Sequence, residues 1–154
     1  MTNVNVGTID VYLVAPNPGD WNVLALQRSH STRCATAWET VHGRIESNES
    51  PEEAAVREVH EETGLSVQRL YNVIVQPFYL HKLATVELAV VFAAFVDRNQ
   101  PVRLGEEHMH HEWLTPNEAI ERFHWPRERA ALRDVLHLLR EGNAGPVEDV
   151  LRVY

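Results

Sequence analysis

Apolar and β-branched residues crowd into two short runs near the start of the chain, at about 8–15 and 22–28, and each run predicts a strand. Between them Pro16-Asn17-Pro18-Gly19-Asp20 is a cluster of turn formers, so the pair predicts a hairpin. Residues 29–36 are polar and predict a loop, with a short strand near 37–41 after it. Two longer strand-like runs, 66–80 and 84–96, flank a turn near His81–Leu83. The second is almost continuously apolar, with Glu87 its only charge, the pattern of a central strand covered on both faces. A polar loop from Asp97 to Gly105 leads to a strand near 109–114 and then to helices at about 116–123 and 126–141. Thr115-Pro116-Asn117-Glu118 opens the first of these two helices. The tail, 146–154, is expected to pack back as a short strand or to stay loose.

Residues 43–65 interrupt this strand-rich pattern with a helix of unusual composition. Ser50 is a good N-cap, Pro51 fits the first helical position and Glu53 completes a capping box. Ala54, Ala55, Val56 and Val59 supply helix-compatible positions, and Gly64 ends the helix. Glu58, Glu61 and Glu62 stand at i, i+3 and i+4, so three carboxylates share one face. Arg57 adjoins that face and Glu49 lies in the loop leading in. A solvated acidic helix needs neither the flanking glycines nor the arginine. Such crowding of acid becomes favourable when divalent cations occupy the site. Oxygen-only ligands select magnesium, manganese or calcium over zinc, and magnesium is commonly shared with substrate phosphates.

The segment resembles the Nudix box, Gly-x5-Glu-x7-Arg-Glu-U-x-Glu-Glu-x-Gly-U with U aliphatic. Gly43, Glu49, Arg57, Glu58, Glu61, Glu62 and Gly64 match its fixed positions, and Val59 and Leu65 its aliphatic ones. The resemblance implies an α+β chain with the Nudix fold, an α/β/α sandwich with a mixed β-sheet and a catalytic loop–helix–loop. It implies a pyrophosphohydrolase that uses Mg2+, with Mn2+ as a substitute, to cleave a nucleoside diphosphate linked to another group. The metal ligands would be Glu58, Glu61 and Glu62, the backbone carbonyl at His42, and Glu107 from outside the box. Glu61 or Glu107 would take the proton from the attacking water. Arg57 and Glu49 would orient the carboxylates, and Gly43 and Gly64 would shape the loops.

A narrower resemblance, over roughly residues 9–136, is to bacterial dihydroneopterin triphosphate pyrophosphatases that also hydrolyse dATP. Leu26-Gln27-Arg28, Trp38, Glu107-His108 before Trp113-Leu114, and Trp125 with Arg129 carry it. It implies a nucleoside or pterin triphosphate as substrate, with pyrophosphate and a monophosphate as products. Arg28 would hold a phosphate and Trp38 would stack on the heterocycle. Trp125 is expected to anchor the last long helix, and the histidines 108, 110 and 111 to sit on a surface strand end. Two positions depart from the pattern. His42 replaces a small residue, and its side chain is expected to matter little. Asn48 replaces a glycine, and asparagine tolerates the left-handed backbone a tight loop needs. Dinucleoside polyphosphates and nucleotide sugars are the alternative substrates. A non-catalytic nucleotide sensor on the same fold tends to carry a damaged box, and here the box is complete.

Composition narrows the partners. The 154 residues are enough for one Nudix domain spanning 1–154 with a proper core, and 44% hydrophobic with 23% charged residues is ordinary for a globular chain. A net charge of −8 argues against long nucleic acid. Cys34 is the lone cysteine, so no internal disulfide forms, and a reducing, cytoplasmic location is expected. No apolar run reaches the roughly 20 residues of a membrane span, and no signal peptide is evident. Nothing in the sequence sets an oligomeric state.

Overall fold

The computed structural model describes residues 1–17 and 20–154. In chain order the elements are β1 (Asn3–Asn17), β2 (Asp20–Arg28), β3 (Trp38–Glu39), β4 (Val41–Arg44), α1 (Pro51–Thr63) and β5 (Arg69–Leu80). A 3-10 turn at His81–Leu83 follows, then β6 (Thr85–Phe95), β7 (His108–Leu114), α2 (Pro116–Arg122) and α3 (Pro126–Leu139). A second 3-10 turn, Gly145–Val147, leads into a short α4 (Glu148–Leu151).

The strands form one sheet in the order β3-β2-β1-β6-β5, with β4 added to β1 and β7 to β2. β1 runs parallel to β6, and the other pairs are antiparallel, so the sheet is mixed. β6 lies between β1 and β5, the central position its apolar run predicts. The β1–β2 hairpin is present, with Val14 opposite Val23, while the tip of its expected turn, at 18–19, lies outside the described residues.

Alternation along β1 sends its side chains into two separate cores. Ile9, Val11 and Leu13 meet Ala54, Ala55 and Val59 of α1. Tyr12 and Val14 meet Ala119 of α2 and Ala131, Leu132 and Val135 of α3. Helices therefore cover both faces, which makes the α/β/α sandwich. Tyr12 and Phe123 pack edge-on with ring centroids 6.0 Å apart, helping to seat the α2–α3 corner.

One feature of the sheet prepares the site. β1 pairs with β2 over Val14–Asn17 but with β4 over Thr8–Val11, while β2 turns its far end, Leu26 and Gln27, to β3. The sheet thus splits between β1 and β2, and Thr40 carries the chain across the split from β3 to β4. Side chains at a split are not covered by a neighbouring strand, so a pocket can open there.

Two expectations about the ends are corrected. β1 begins at Asn3 and not near 8, because Asn3–Asn5 pair with Thr85–Glu87 through the backbone while Val4 and Val6 stay exposed. A strand made by backbone pairing without side-chain burial leaves no hydrophobic signature. The tail is mostly helical, and only Arg152 makes a strand-like bridge, to Tyr71. Leu70 N–H donates to the Tyr154 carbonyl and Val153 N–H to that of Leu70, which covers part of the outer edge of β5. Among the described residues no helix is long and apolar enough to cross a membrane.

Candidate active site

The acidic helix is held at both ends as its sequence predicts. Ser50 and Glu53 form a reciprocal capping box, and Gly64 adopts a left-handed φ of 72° as its amide donates to the His60 carbonyl. Asn48 in the loop before it also has a left-handed φ, 65°. Arg57 is the centre of the loop–helix–loop. Its Nε and Nη2 donate to the two oxygens of Glu49 at 2.7 and 2.9 Å, and Nη2 also donates to the Arg44 carbonyl. Its Nη1 reaches Glu58 at 2.7 Å and Glu61 at 3.3 Å. These paired donors, with the Glu46 amide, hold the Glu49 carboxyl down at about 2. Gly43 passes directly under Glu58, where a Cβ would run into the Glu58 carboxyl group.

The three box carboxylates differ in exposure. Glu62 is buried, Glu58 is half-buried, and Glu61 is exposed. Burial, with the charges of Glu58, Glu107 and Glu39 added, pushes the Glu62 carboxyl up to about 10. Burial also raises Glu58, and the Glu61 and Glu107 charges add to that against the opposing pull of Arg57. Glu107 therefore stands near both. Its position comes from anchoring of its turn on two sides: Gly105 N–H donates to the Glu62 carbonyl, and Ser29 N–H donates to that of Glu107. Glu106 and Glu107 form the turn before β7, and both are exposed.

The donor set suits a hard divalent cation. Glu62 Oε2 is buried with no hydrogen-bond partner, and Glu62 and Glu58 are both raised, by burial first and by neighbouring carboxylate charges after it, so the missing component is positive charge. Among the described residues no three acidic, histidine or cysteine side chains are gathered closely enough to hold a metal ion. Glu58 and Glu61 are instead drawn toward Arg57. An open site of a few carboxylates is the arrangement that magnesium shares with water and phosphate oxygens.

Beside this cluster, on the α3 face of the split sheet, lies a cavity of 580 Å³. Arg28, Arg33 and Cys34 form one side, Phe78, Tyr79 and Trp125 supply flat apolar surface, and Glu39, His42, Arg127 and Glu128 bring polar groups. Glu39 joins cavity and cluster, for it lines the first and its charge helps to raise Glu62 in the second. Arg28 Nη1 and His108 Nε2 both pair with Glu39 Oε2 at 3.0 Å. His42 Nδ1 lies 2.6 Å from Asp10 Oδ1, and Arg127 donates to the other Asp10 oxygen. Burial alone would raise Asp10, but His42 and Arg127 together bring it below its ordinary value, so the ionised carboxylate takes its proton contacts from both. A second hollow, of 620 Å³, lies around Arg69 and Asp97–Asn99 and includes none of the acidic helix.

Several expected residues fall elsewhere. Trp38 does not line the cavity. Its ring packs against the α2–α3 core with the Arg122 guanidinium 4.8 Å above it, because β3 turns it to that face. Trp125, expected as a packing anchor, is 41% exposed and on the cavity wall. His108 is buried against Glu39 and is no surface residue, whereas His110 and His111 are exposed. The side chain of His42, expected to be idle, is tied to Asp10 and faces the cavity. Asp10, Glu39, Arg127 and Glu128 were not singled out by motif. A signal existed for Asp10, a lone acid inside Ile9–Leu13, and for Glu128, at core-facing spacing to Ala131, Leu132 and Val135.

The sequence model of the NUDIX domain matches residues 5–135. The chain belongs to this family. As a Nudix hydrolase it has its box helix, with the acids described above, where the fold places one loop–helix–loop against the split sheet. Among proteins of named function it is 28% identical over 102 residues to the mouse bis(5'-nucleosyl)-tetraphosphatase (asymmetrical), covering 63% of this chain and 68% of that one. It is 39% identical over 92 residues to a Myxococcus xanthus octanoyltransferase, but this segment is 55% of the chain and only 24% of the length of that relative. Among solved structures, the E. coli dihydroneopterin triphosphate pyrophosphohydrolase superposes with a TM-score of 0.67 at 24% identity, over 86% of this chain and 96% of that one. That likeness is one of fold. Nudix hydrolases generally use divalent metals such as Mg2+, in keeping with the donor set here.

Proposed function

We propose that this Nudix hydrolase cleaves a phosphoanhydride of a nucleoside or pterin triphosphate, releasing pyrophosphate and a monophosphate. The observation that carries the reading is that Glu39 lines a cavity with arginine and aromatic walls while its charge acts on the buried Glu62 of the acidic cluster. Such a cavity suits a flat heterocycle joined to a phosphate chain that reaches the cluster.

In this reading Glu58, Glu61 and Glu62, the His42 carbonyl and Glu107 hold Mg2+. When bound, the ion supplies positive charge against the phosphate oxygens and acidifies the attacking water from about 15.7 toward ~7. Arg57 and Glu49 keep the carboxylates in place, and loss of such support costs roughly 10–100-fold. The water proton goes to Glu61 or Glu107, the two exposed acids of the cluster. Arg28 and Arg33 face the phosphate chain, and the ring lies against Phe78 and Trp125 in place of Trp38. Arg127 already covers Phe78 at 4.7 Å and closes that side. A dinucleoside polyphosphate is the second reading, favoured by the similarity to the mouse tetraphosphatase.

The deciding experiment runs the purified protein with Mg2+ in ¹⁸O-labelled water on dATP, dihydroneopterin triphosphate, diadenosine tetraphosphate and a nucleotide sugar. Label in the monophosphate means attack at the α-phosphorus and is the expected result. Label in pyrophosphate means attack at the β-phosphorus. Turnover of diadenosine tetraphosphate or of the nucleotide sugar, with none of either triphosphate, rejects the first reading.

A further inference from the structure

Glu128 stands at the third position of α3, and its side chain is turned inward to the sheet with only 2% of the residue exposed. Its Oε1 accepts from the Thr40 N–H at 3.0 Å. Thr40 is the residue that crosses the split in the sheet, where its amide lies outside the strand ladders. That bond explains one oxygen. The other, Oε2, is buried and has no partner, although Glu128 lines the cavity. A buried polar atom left unmet is unfavourable, so capping of the Thr40 amide alone does not account for the second oxygen. Burial, reinforced by the charge of Asp10, raises the Glu128 carboxyl well above its ordinary value, which leaves a proton on it to donate.

The neighbouring polar groups are already engaged. Arg127 and the Nδ1 of His42 are turned to Asp10, and Glu39 is paired with Arg28 and His108. Flat walls, Phe78 and Trp125, flank the same space. We propose that Glu128 is a specificity-determining residue whose Oε2 donates a hydrogen bond to a ring acceptor, a heterocyclic nitrogen or carbonyl, of the bound ligand. This rests on the reading of the cavity as the site of a triphosphate's heterocycle. It assigns the inner end of the cavity to the ring and the acidic cluster to the phosphates. A site that hydrogen-bonds a ligand atom rejects an analogue lacking that atom far more strongly than an apolar pocket does.

The test compares wild type, Glu128→Met and Glu128→Gln on dATP and on its 1-deaza, 3-deaza and 7-deaza analogues, each missing one ring acceptor. Wild type is expected to lose at least tenfold in kcat/KM on one analogue. Glu128→Met, which keeps the length and removes both oxygens, is expected to lose as much on dATP and to treat that analogue and dATP alike. Glu128→Gln keeps an acceptor for Thr40 and an N–H donor in place of Oε2, and is expected to retain the discrimination. Equal loss on all substrates with the wild-type preference intact, or no preference among the analogues in wild type, overturns the proposal. Circular dichroism and thermal unfolding establish that the variants fold. A crystal of the wild-type protein with dAMP supplies a readout independent of turnover and of any variant. A ring atom within hydrogen-bond distance of Oε2 supports the assignment even if no triphosphate is hydrolysed, and a ring bound elsewhere refutes it.

Discussion

Replacing Glu62 by glutamine removes a buried carboxyl that the metal-free protein keeps protonated, at a cost in stability near pH 7. The folded carboxyl titrates at about 10 and its ordinary value is 4.5, with burial the main cause and the charges of Glu58, Glu107 and Glu39 behind it. Between those values the unfolded chain has released the proton and the folded chain retains it. Folding then takes up a proton, and the stability that Glu62 contributes below 4.5 is progressively lost as pH rises toward 10. At about 1.4 kcal/mol per pH unit, the loss by pH 7 is up to ~3 kcal/mol. Glutamine keeps the shape and has nothing to titrate. In EDTA, Glu62→Gln should therefore unfold at a midpoint higher by roughly 6–12 °C near pH 7, since each kcal/mol shifts a chain of this size by about 2–4 °C. The gap should be small near pH 5 and larger near pH 9. Added Mg2+ should raise the midpoint of the wild type and leave that of the variant nearly unchanged, because a cation that binds only the folded state stabilises it by mass action. Catalysis should fall by orders of magnitude in the same variant. Thermal unfolding at about pH 5, 7 and 9, with EDTA and with MgCl2, measures all of this. Equal midpoints in EDTA across the range, or a less stable variant, would refute the view of Glu62 as a buried acid that lacks a cation to ionise it.

Glu61→Gln should lower kcat by orders of magnitude, and Glu107→Gln by at least tenfold, while Glu106→Gln, whose main-chain carbonyl is the group Ser29 uses, should stay near wild type. Steady-state kinetics at saturating Mg2+ decides this, and wild-type turnover in both Glu61→Gln and Glu107→Gln would remove them from the cluster's chemistry. Gly43→Ala should displace the Glu58 carboxyl that lies against it, lowering activity by roughly 10–100-fold and stability by about 1–3 kcal/mol. An alanine variant with unchanged kcat and unfolding midpoint would show that Gly43 does not shape the site.

The box helix was legible in full because its information is local. A cap, a proline, a glycine and the helical period place Ser50, Pro51, Glu58, Glu62 and Gly64 from neighbouring residues alone. The central strand β6 was legible for a related reason, since burial on both faces demands a continuous apolar run. Family membership followed from the spacing of the same few residues. The sequence could not show which of three carboxylates on one helical face would be buried. Only the packing of α1 against the sheet and the 103–107 segment made Glu62 an interior acid and left Glu61 outside. Nor could it show the start of β1, where backbone bonds to β6 make a strand from exposed side chains. The cavity was least legible of all. Glu39, His42 and Glu128 lie on three different elements, and they face one space because β1 exchanges β2 for β4 halfway along its length. The same geometry turned Trp38 into the α2–α3 core and put Phe78 and Trp125 on the cavity wall. Periodicity assigns a side chain to a face of its own element, whereas a pocket is made where faces of distant elements meet, and that meeting is fixed by strand pairing across the whole chain.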